Sequence, residues 1–345
     1  MITIRELARE VGLSPTTVSM VLNSSPVVRK IPEETKERVR AAAKEFGYSP
    51  NPFPRILRSK RTASVGILLS DISDPYCTEV LMGIDNSLYH SGYIPILLDI
   101  RNSRIKFRRY VQTLIDRRIE GIIGVANLLL LQSELLAIIK ERKIPIVLIG
   151  RETEESGINS VFVDNETGGY LAVKHLYELG HRSIAFIKGP KGMVDSKRRW
   201  QGIVSFAREA GLSIDVNLTM QLKVARSSYE AGFETTLKLL NSRRRFTALL
   251  AFDDLTAFGA IRAFAQVGKI VPKDCSVIGF DDIAAATFYN PPITTIRQPM
   301  EKLGALAVET FLDLANAFFA QKEIKPAHRK IKPKLIIRAS TSRLG

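Results

Sequence analysis

The hydrophobic pattern of the chain changes near residues 50 to 62, and this change limits the folds that the chain can adopt. Before it, apolar residues recur at the spacing of short amphipathic helices. From Val65 onward, short apolar runs alternate with longer helical stretches. The segment between is rich in proline and basic residues, as is typical of a linker. The pattern predicts a helical domain over 1–50, a hinge linker over 51–61 and a large domain over 62–345.

Apolar runs in the large domain have the length and composition of buried parallel strands, with helical patterns between them. Two successive α/β units are therefore predicted. Ligands of open α/β sheets bind at the carboxyl ends of the strands, so a crevice shared by the two units is the expected ligand site. The predicted strands are 65–69, 94–98, 121–125, 145–149, 183–187, 247–251 and 275–280, and the predicted helices begin near Thr78, Ile105 and Leu131 or cover 167–179, 196–210, 229–241 and 254–267.

The first 50 residues contain start and stop signals for three short helices. Thr3 and Glu6 have the spacing of a capping box, and Gly12 can end the first helix with a positive φ. Ser14 followed by Pro15 starts a second helix. The third is expected between Pro32 and Gly47. The predicted core of this domain is Leu7, Ala8, Leu13, Val18, Val21, Leu22, Val39, Ala43 and Phe46.

This core leaves Thr16, Thr17 and Met20 on the outer face of the second helix. Two helices joined by a tight turn are typical of a helix-turn-helix, in which such outward side chains read bases in the major groove. A three-helix module for protein contacts is the alternative that the pattern alone leaves open.

Charge and cysteine content narrow the class of protein. The 345 residues include 50 Lys and Arg against 35 Asp and Glu, a net charge of +15, which favours a polyanionic partner. Cys77 and Cys275 lack the spacing of a disulfide framework or a zinc site. Neither a signal peptide nor an apolar span is evident. A cytoplasmic protein without membrane contact is expected.

Catalysis is not expected from the sequence. The four histidines show no paired metal spacing, and no P-loop, G-x-S-x-G or G-x-G-x-x-G motif occurs. No cofactor or metal is therefore predicted. A solute-binding protein for transport is a further alternative, but it would need a signal peptide and no helical N-terminal domain.

Several motifs together resemble the LacI/GalR family of bacterial transcription regulators. The resemblance implies a three-helix helix-turn-helix headpiece and a periplasmic-binding-protein-like type I domain, whose two lobes are joined by three crossovers. Lobe one is expected over about 62–161 and 293–322, and lobe two over about 162–292 and 323–345. It also implies a homodimer that binds near-palindromic operator DNA as a repressor. The motifs are 3–23, 33–51, 65–71, 74–76, 163–169, 179–182 and 279–282.

The family pattern assigns roles in DNA binding by position. Thr16, Thr17 and Met20 would read bases, and Leu57 would wedge between base steps. Pro54 departs from the alanine usual in the hinge, and Met20 replaces a residue that is often polar, which favours contact with a thymine methyl. The remaining implied DNA contacts, mostly to phosphate, are Thr3, Ser14, Ser19, Asn23, Arg55 and Arg58.

The same resemblance assigns the effector cleft to Ser70, Tyr76, Arg199, Asp253 and Asp281. The two aspartates can accept from sugar hydroxyls, and Arg199 can donate a forked pair. Helix caps, turns and surface ion pairs are the alternative roles of these residues. Gly150, Cys77 and Ser227 depart from the sugar-binding pattern. Lys197, Arg199 and Arg226 suggest an anionic effector as a second hypothesis.

Overall fold

The computed structural model describes residues 2–22, 31–48, 61–101, 103–125, 141–142, 144–150, 158–223, 228–242, 244–322 and 325–345. The chain forms two compact units, residues 1–62 and 63–345, each with its own hydrophobic core. Each unit is described by itself. No helix among the described residues is long and apolar enough to cross a membrane.

The N-terminal unit contains helices α1 (Ile4–Glu10), α2 (Pro15–Leu22) and α3 (Glu33–Glu45). The predicted capping box of α1 is present, because Thr3 and Glu6 bond each other's backbone N–H groups. Gly12 has φ +63°, as expected where α1 ends. Most of the predicted core is buried, but Phe46 follows α3 and is 42% exposed, Leu13 and Leu22 are half-buried, and the buried Val11 was not predicted. The buried core residues are Leu7, Ala8, Val11, Val18, Val21, Val39 and Ala43.

The large unit contains two six-stranded sheets. The first has the order β11-β5-β4-β3-β1-β2, and its pairings are all parallel. The second has the order β12-β10-β9-β8-β6-β7, in which β12 alone is antiparallel to its neighbour. The strands are β1 (Ser64–Leu69), β2 (Ile94–Asp99), β3 (Ile122–Val125), β4 (Ile146–Ile149), β5 (Asn159–Val163), β6 (Ile184–Lys188), β7 (Thr219–Gln221), β8 (Ala248–Leu250), β9 (Ser276–Asp281), β10 (Thr294–Arg297), β11 (His328–Ile331) and β12 (Lys334–Ile336).

Helices cover both sheets, as parallel βαβ units require. Helices α6 (Asn165–Glu178) and α7 (Val194–Glu209) cross so closely that a Cβ on Gly202 would lie 1.8 Å from the carbonyl oxygen of Glu166. The predicted helix near Leu131 lies outside the described residues. The described helices are α4 (Pro75–Ser91), α5 (Arg104–Asp116), α6 (Asn165–Glu178), α7 (Val194–Glu209), α8 (Tyr229–Asn241), α9 (Asp254–Gln266), α10 (Ala285–Phe288) and α11 (Met300–Phe319).

The chain crosses between the sheets three times: after β5, after β10 and between β11 and β12. The predicted lobe limits need correction here. Residues 294–297 form β10 beside β9 in the second sheet, although 293–322 was assigned to lobe one. Residues 328–331 form β11 beside β5 in the first sheet, although 323–345 was assigned to lobe two. Strand pairing decides lobe membership, and strands of four residues such as β10 and β11 give a weak sequence signal.

Candidate DNA-reading helix and effector cleft

Helix α2 presents the side chains predicted to read bases. Thr16 is exposed, and Thr17 and Met20 are half-buried, whereas Val18 and Val21 face the core. The helix begins at Pro15, so the preceding backbone is fixed for entry into the first turn. Its outer side is therefore a polar surface with one thioether, which suits contact with base edges and a thymine methyl.

Ser14 and Thr17 already bond each other in the N-terminal unit. The Thr17 amide donates to Ser14 Oγ at 3.1 Å, and the two hydroxyl oxygens are 2.9 Å apart. Ser14 thus caps α2 and orients Thr17. Thr3 is similarly held by Glu6, since Thr3 Oγ1 donates to Glu6 Oε2 at 2.8 Å. Ser19 is half-buried. Asn23, Arg55, Leu57 and Arg58 lie outside the described residues.

The five predicted cleft residues lie where strands of the two sheets end. Ser70 follows β1 and Tyr76 lies in the first turn of α4, both in the first lobe. In the second lobe, Asp253 follows β8, Asp281 ends β9 and Arg199 lies on α7. Carboxyl ends of parallel strands meet at one edge of each sheet, and this edge is where the sequence predicts the effector cleft.

Arg199 is the centre of a buried polar network in lobe two. Only 8% of its surface is exposed. Its Nε donates to Asn165 Oδ1 at 2.9 Å, and one terminal nitrogen donates to the Phe252 carbonyl at 2.7 Å. The other terminal nitrogen is 3.5 Å from Asp281 Oδ1. The guanidinium also lies 3.6 Å from the ring centroid of Phe280. Arg199 is therefore fixed in place before any effector arrives.

Asp281 and Asp282 form a constrained turn at the end of β9. Their φ angles are +113° and +62°, a region that non-glycine residues rarely adopt. Gln298 Nε2 donates to Asp281 Oδ1 at 2.6 Å, and Arg338 lies 2.6 Å from Asp282 Oδ1. Burial raises the pKa of Asp281 well above its ordinary value, although the nearby Arg199 guanidinium lowers it. The turn holds this carboxyl group at the cleft end of the strand.

Asp253 and Asp254 have separate roles at the start of α9. Asp253 Oδ1 accepts from the Thr256 amide at 2.8 Å, so it caps the helix, as the alternative role anticipated. Asp254 is fully buried and accepts from the Ile283 amide at 2.9 Å and from Thr295 Oγ1 at 2.6 Å. Asp254 therefore stabilises the 281–283 turn through buried hydrogen bonds instead of facing a ligand.

The first lobe contributes Ser70 and Tyr76. Ser70 Oγ lies 3.5 Å from the Cys77 thiol, and burial raises the pKa of that thiol to about 12. Burial also raises the pKa of Tyr76, and the carboxylates of Asp195 and Asp281 in the other lobe raise it further. This coupling indicates that Tyr76 faces lobe two across the cleft.

The two described cations suggested for an anionic effector, Lys197 and Arg199, do not share one side of α7. Lys197 is exposed, and it is two residues from the buried Arg199 on α7. Positions i and i+2 of a helix point to different sides. Arg226 lies outside the described residues. Of the described residues predicted for the cleft, Arg199 is a cation, and Asp253 and Asp281 carry carboxyl oxygens that can accept hydrogen bonds, which favours a ligand rich in hydrogen-bond donors.

The sequence had not singled out several residues of the cleft. Asn165 and Gln298 bond the predicted pair Arg199 and Asp281, and Phe252 supplies a carbonyl. Asp74 caps α4, and burial together with Asp253 raises its pKa to about 6. The sequence could have indicated these residues, because each lies within two positions of a strand end or a helix start. No group of three metal-binding side chains occurs among the described residues.

A helix-turn-helix unit joined to a two-lobed domain with a polar interlobe cleft defines a DNA-binding regulator that responds to a small molecule. Comparisons with known proteins agree. Residues 3–51 match bacterial regulatory proteins of the lacI family, and residues 173–341 match the periplasmic binding protein-like domain. The chain belongs to the lacI family. It is a DNA-binding repressor of that family and not an enzyme.

Related repressors and solved structures cover nearly the whole chain. The HTH-type transcriptional repressor PurR of Pectobacterium carotovorum is 34% identical over 344 residues, 99% of this chain and 97% of that protein. PurR of Photorhabdus laumondii is 36% identical over 315 residues, 91% and 90% of the two chains. The lac repressor bound to ONPG is 27% identical with a TM-score of 0.85, and 99% of each chain is covered. The CelR–cellobiose complex is 28% identical with a TM-score of 0.73, covering 99% and 100%.

Proposed function

We propose that the chain represses transcription as a cytoplasmic homodimer that binds a near-palindromic operator and is controlled by a small polar effector in the interlobe cleft. The outer face of α2 is the observation that carries the DNA-binding part. Thr16, Thr17 and Met20 lie there, while the capped start at Ser14 fixes their orientation. The predicted contacts of Thr3, Ser19, Asn23, Arg55, Leu57 and Arg58 with DNA remain part of this proposal.

The effector in this proposal is a donor-rich molecule such as a sugar or sugar derivative. Asp253 and Asp281 supply acceptors, Arg199 supplies a fixed donor, and Tyr76 supplies a flat face with a hydroxyl. The similar CelR structure was solved with cellobiose, which supports a sugar as the effector class. Because Lys197 and Arg199 lie on different sides of α7, an anionic effector is the weaker hypothesis.

The DNA-binding proposal is tested by selection. Purified protein is mixed with a pool of random duplexes at fixed salt, and the bound fraction is sequenced with and without a panel of small metabolites. We expect a near-palindromic motif whose recovery changes with one metabolite. Thr16→Ala with Thr17→Ala should relax the motif, at about 1–3 kcal/mol for each lost base contact. Binding that is blind to sequence and only fades with salt would refute operator recognition.

The cleft assignment is tested with the metabolite that the selection identifies. We expect Arg199→Ala to weaken its binding at least tenfold, because the variant removes a buried donor and leaves Asp281 without its cation. Lys197→Ala, an exposed residue of the same helix, is the matched control and should bind normally. Calorimetry measures both, and equal affinities for the two variants would place the effector elsewhere.

A further inference from the structure

Glu120 is a buried acidic residue that none of the functions described so far uses. It lies in the connection between α5 and β3, and only 4% of its surface is exposed. Burying a carboxyl group costs free energy unless hydrogen bonds compensate for it. Glu120 Oε1 accepts from the Ala63 amide at 2.7 Å, and Oε2 accepts from the Tyr93 hydroxyl at 2.7 Å. Both carboxyl oxygens therefore hold neighbouring segments of lobe one.

Ala63 is the residue that Glu120 holds at the start of the large unit. It lies directly before β1, and its φ angle is +47°, a region that residues other than glycine rarely adopt. The Ala63 carbonyl accepts from the Ile94 amide of β2 at 2.8 Å, so both backbone polar groups of this residue are bonded. The direction of the backbone at residue 63 is therefore set from two sides.

Tyr93 and the backbone keep Glu120 itself in position. The Tyr93 side chain is buried, and its ring packs edge-to-face on Phe311 of α11 with the ring centroids 5.2 Å apart. The Glu120 amide also donates to the Ser64 carbonyl at 2.9 Å. Buried hydrogen-bond networks that are satisfied in this way rigidify their surroundings. Glu120 is therefore a rigid attachment point for Ala63.

The three bonded residues lie at the amino ends of neighbouring strands. Ala63 precedes β1, Tyr93 precedes β2 and Glu120 precedes β3, and these strands are adjacent in the order β3-β1-β2. Ser70, predicted for the effector cleft, follows the carboxyl end of β1 at the opposite edge of this sheet. The chain therefore enters lobe one, just after the predicted linker 51–61, at the edge away from the predicted cleft.

We propose that Glu120 is a positioning residue for operator binding, because it fixes the direction in which the linker leaves lobe one. This role rests on the proposed function, in which the two headpieces of a homodimer bind half-sites at a set spacing. A fixed backbone at Ala63 limits the half-site separations that the two linkers allow. Glu120 contacts neither a base nor the effector in this role, so its loss changes the spacing preference and not the base preference within each half-site.

The test repeats the selection from random duplexes with the full chain and compares the half-site separations in the bound fraction. The variant Glu120→Met keeps the length of the side chain and removes both oxygen acceptors. We expect the wild type to select one separation. The variant should accept shorter and longer separations roughly two- to tenfold more often, which is the factor that one buried hydrogen bond is worth. Glu120→Gln keeps an oxygen for the Ala63 amide and should restore the wild-type distribution.

Asn159→Leu is the matched control. Asn159 is a buried side chain of the same sheet, and its Oδ1 accepts from the backbone amide of Ala327 at 2.8 Å. This variant should lower the melting temperature about as much as Glu120→Met does and leave the half-site separation unchanged. Hydrogen exchange is a second readout that needs no DNA. The Ala63 amide should exchange at least about tenfold faster in Glu120→Met than in the wild type or in Asn159→Leu.

An unchanged distribution of separations in Glu120→Met would overturn the proposal. Equal broadening in Asn159→Leu would also overturn it, because the effect would then follow from lost stability alone. An Ala63 amide that exchanges at the wild-type rate in Glu120→Met would show that Glu120 does not hold it. A wild type that selects no near-palindromic motif at all would instead refute the proposed function, and with it this role in operator binding.

Discussion

At the scale of single residues, buried carboxyl groups decide how the cleft is built. Asp281 ends β9 in a backbone conformation with positive φ, and Asp254 accepts a hydrogen bond from the amide of Ile283, two residues further on. Burial raises the pKa of Asp254 to about 8, and the carboxylates of Asp253 and Asp282 raise it as well. The group is therefore protonated in the folded chain at neutral pH.

This protonation predicts a pH dependence of stability. In the unfolded chain Asp254 ionises above pH 3.8, whereas in the folded chain it ionises only above about pH 8. The unfolded state therefore loses its proton first, and the free energy of unfolding falls as pH rises from about 4 to about 8. The variant Asp254→Asn does not titrate at position 254, so it lacks this loss of stability. Its melting temperature relative to that of the wild type should therefore rise as the pH increases from about 4 to about 8.

Thermal unfolding of both proteins between about pH 4 and pH 8 measures the difference. The variant keeps an oxygen for the Ile283 amide, so its fold should persist. Exposed Asp85→Asn is the control and should follow the wild type. Parallel melting curves for wild type and Asp254→Asn would contradict a protonated Asp254.

At the scale of elements, local signals predicted most helices and the central strands. Helix α8 begins and ends where the sequence placed it, at Tyr229 and Asn241, because Ser228 caps it and its apolar residues keep helical spacing. The start of α2 was fixed by Ser14 and Pro15. The sequence located β1, β3, β4, β6, β8 and β9 because they are apolar runs with buried faces. It missed β5 and β10, which also lie inside their sheets, because Asn159, Ser160, Thr294 and Thr295 interrupt their apolar pattern.

Three of the missed elements are short strands without a local hydrophobic pattern. β7, β11 and β12 are three or four residues long and lie at sheet edges. β11 and β12 contain basic residues, which have little intrinsic preference for strands. They become strands because they pair with β5 and β10. Helix α11 (Met300–Phe319) has a strong apolar face, but no helix was predicted there from the sequence.

At the scale of the whole molecule, exposed apolar side chains in lobe one support the proposed homodimer. Tyr89 on α4 is 79% exposed, and Ile94 on the edge strand β2 is 67% exposed. An edge strand beside apolar side chains is a surface that a second copy can cover. We place part of the dimer interface there.

Sedimentation or light scattering tests this interface. The wild type should have twice the chain mass of 38.4 kDa, and Tyr89→Asp with Ile94→Asp should shift it toward one chain mass, because two buried charges would face two more across a twofold interface. Val216→Asp, at a residue 78% exposed in lobe two, is the control and should leave the mass unchanged. A dimeric double variant would move the interface elsewhere.

The sequence by itself determined the three short helices of the N-terminal unit and the alternating α/β pattern of the large unit, because periodicity, caps and turns act over a few neighbouring residues. The effector residues came from the family resemblance instead. Tertiary structure alone decided which lobe receives β10 and β11, and it showed that Asn165 and Gln298 hold Arg199 and Asp281. These partners are 34 and 17 positions apart in the chain. Side chains that distant meet only when strand pairing and helix packing close the intervening loops.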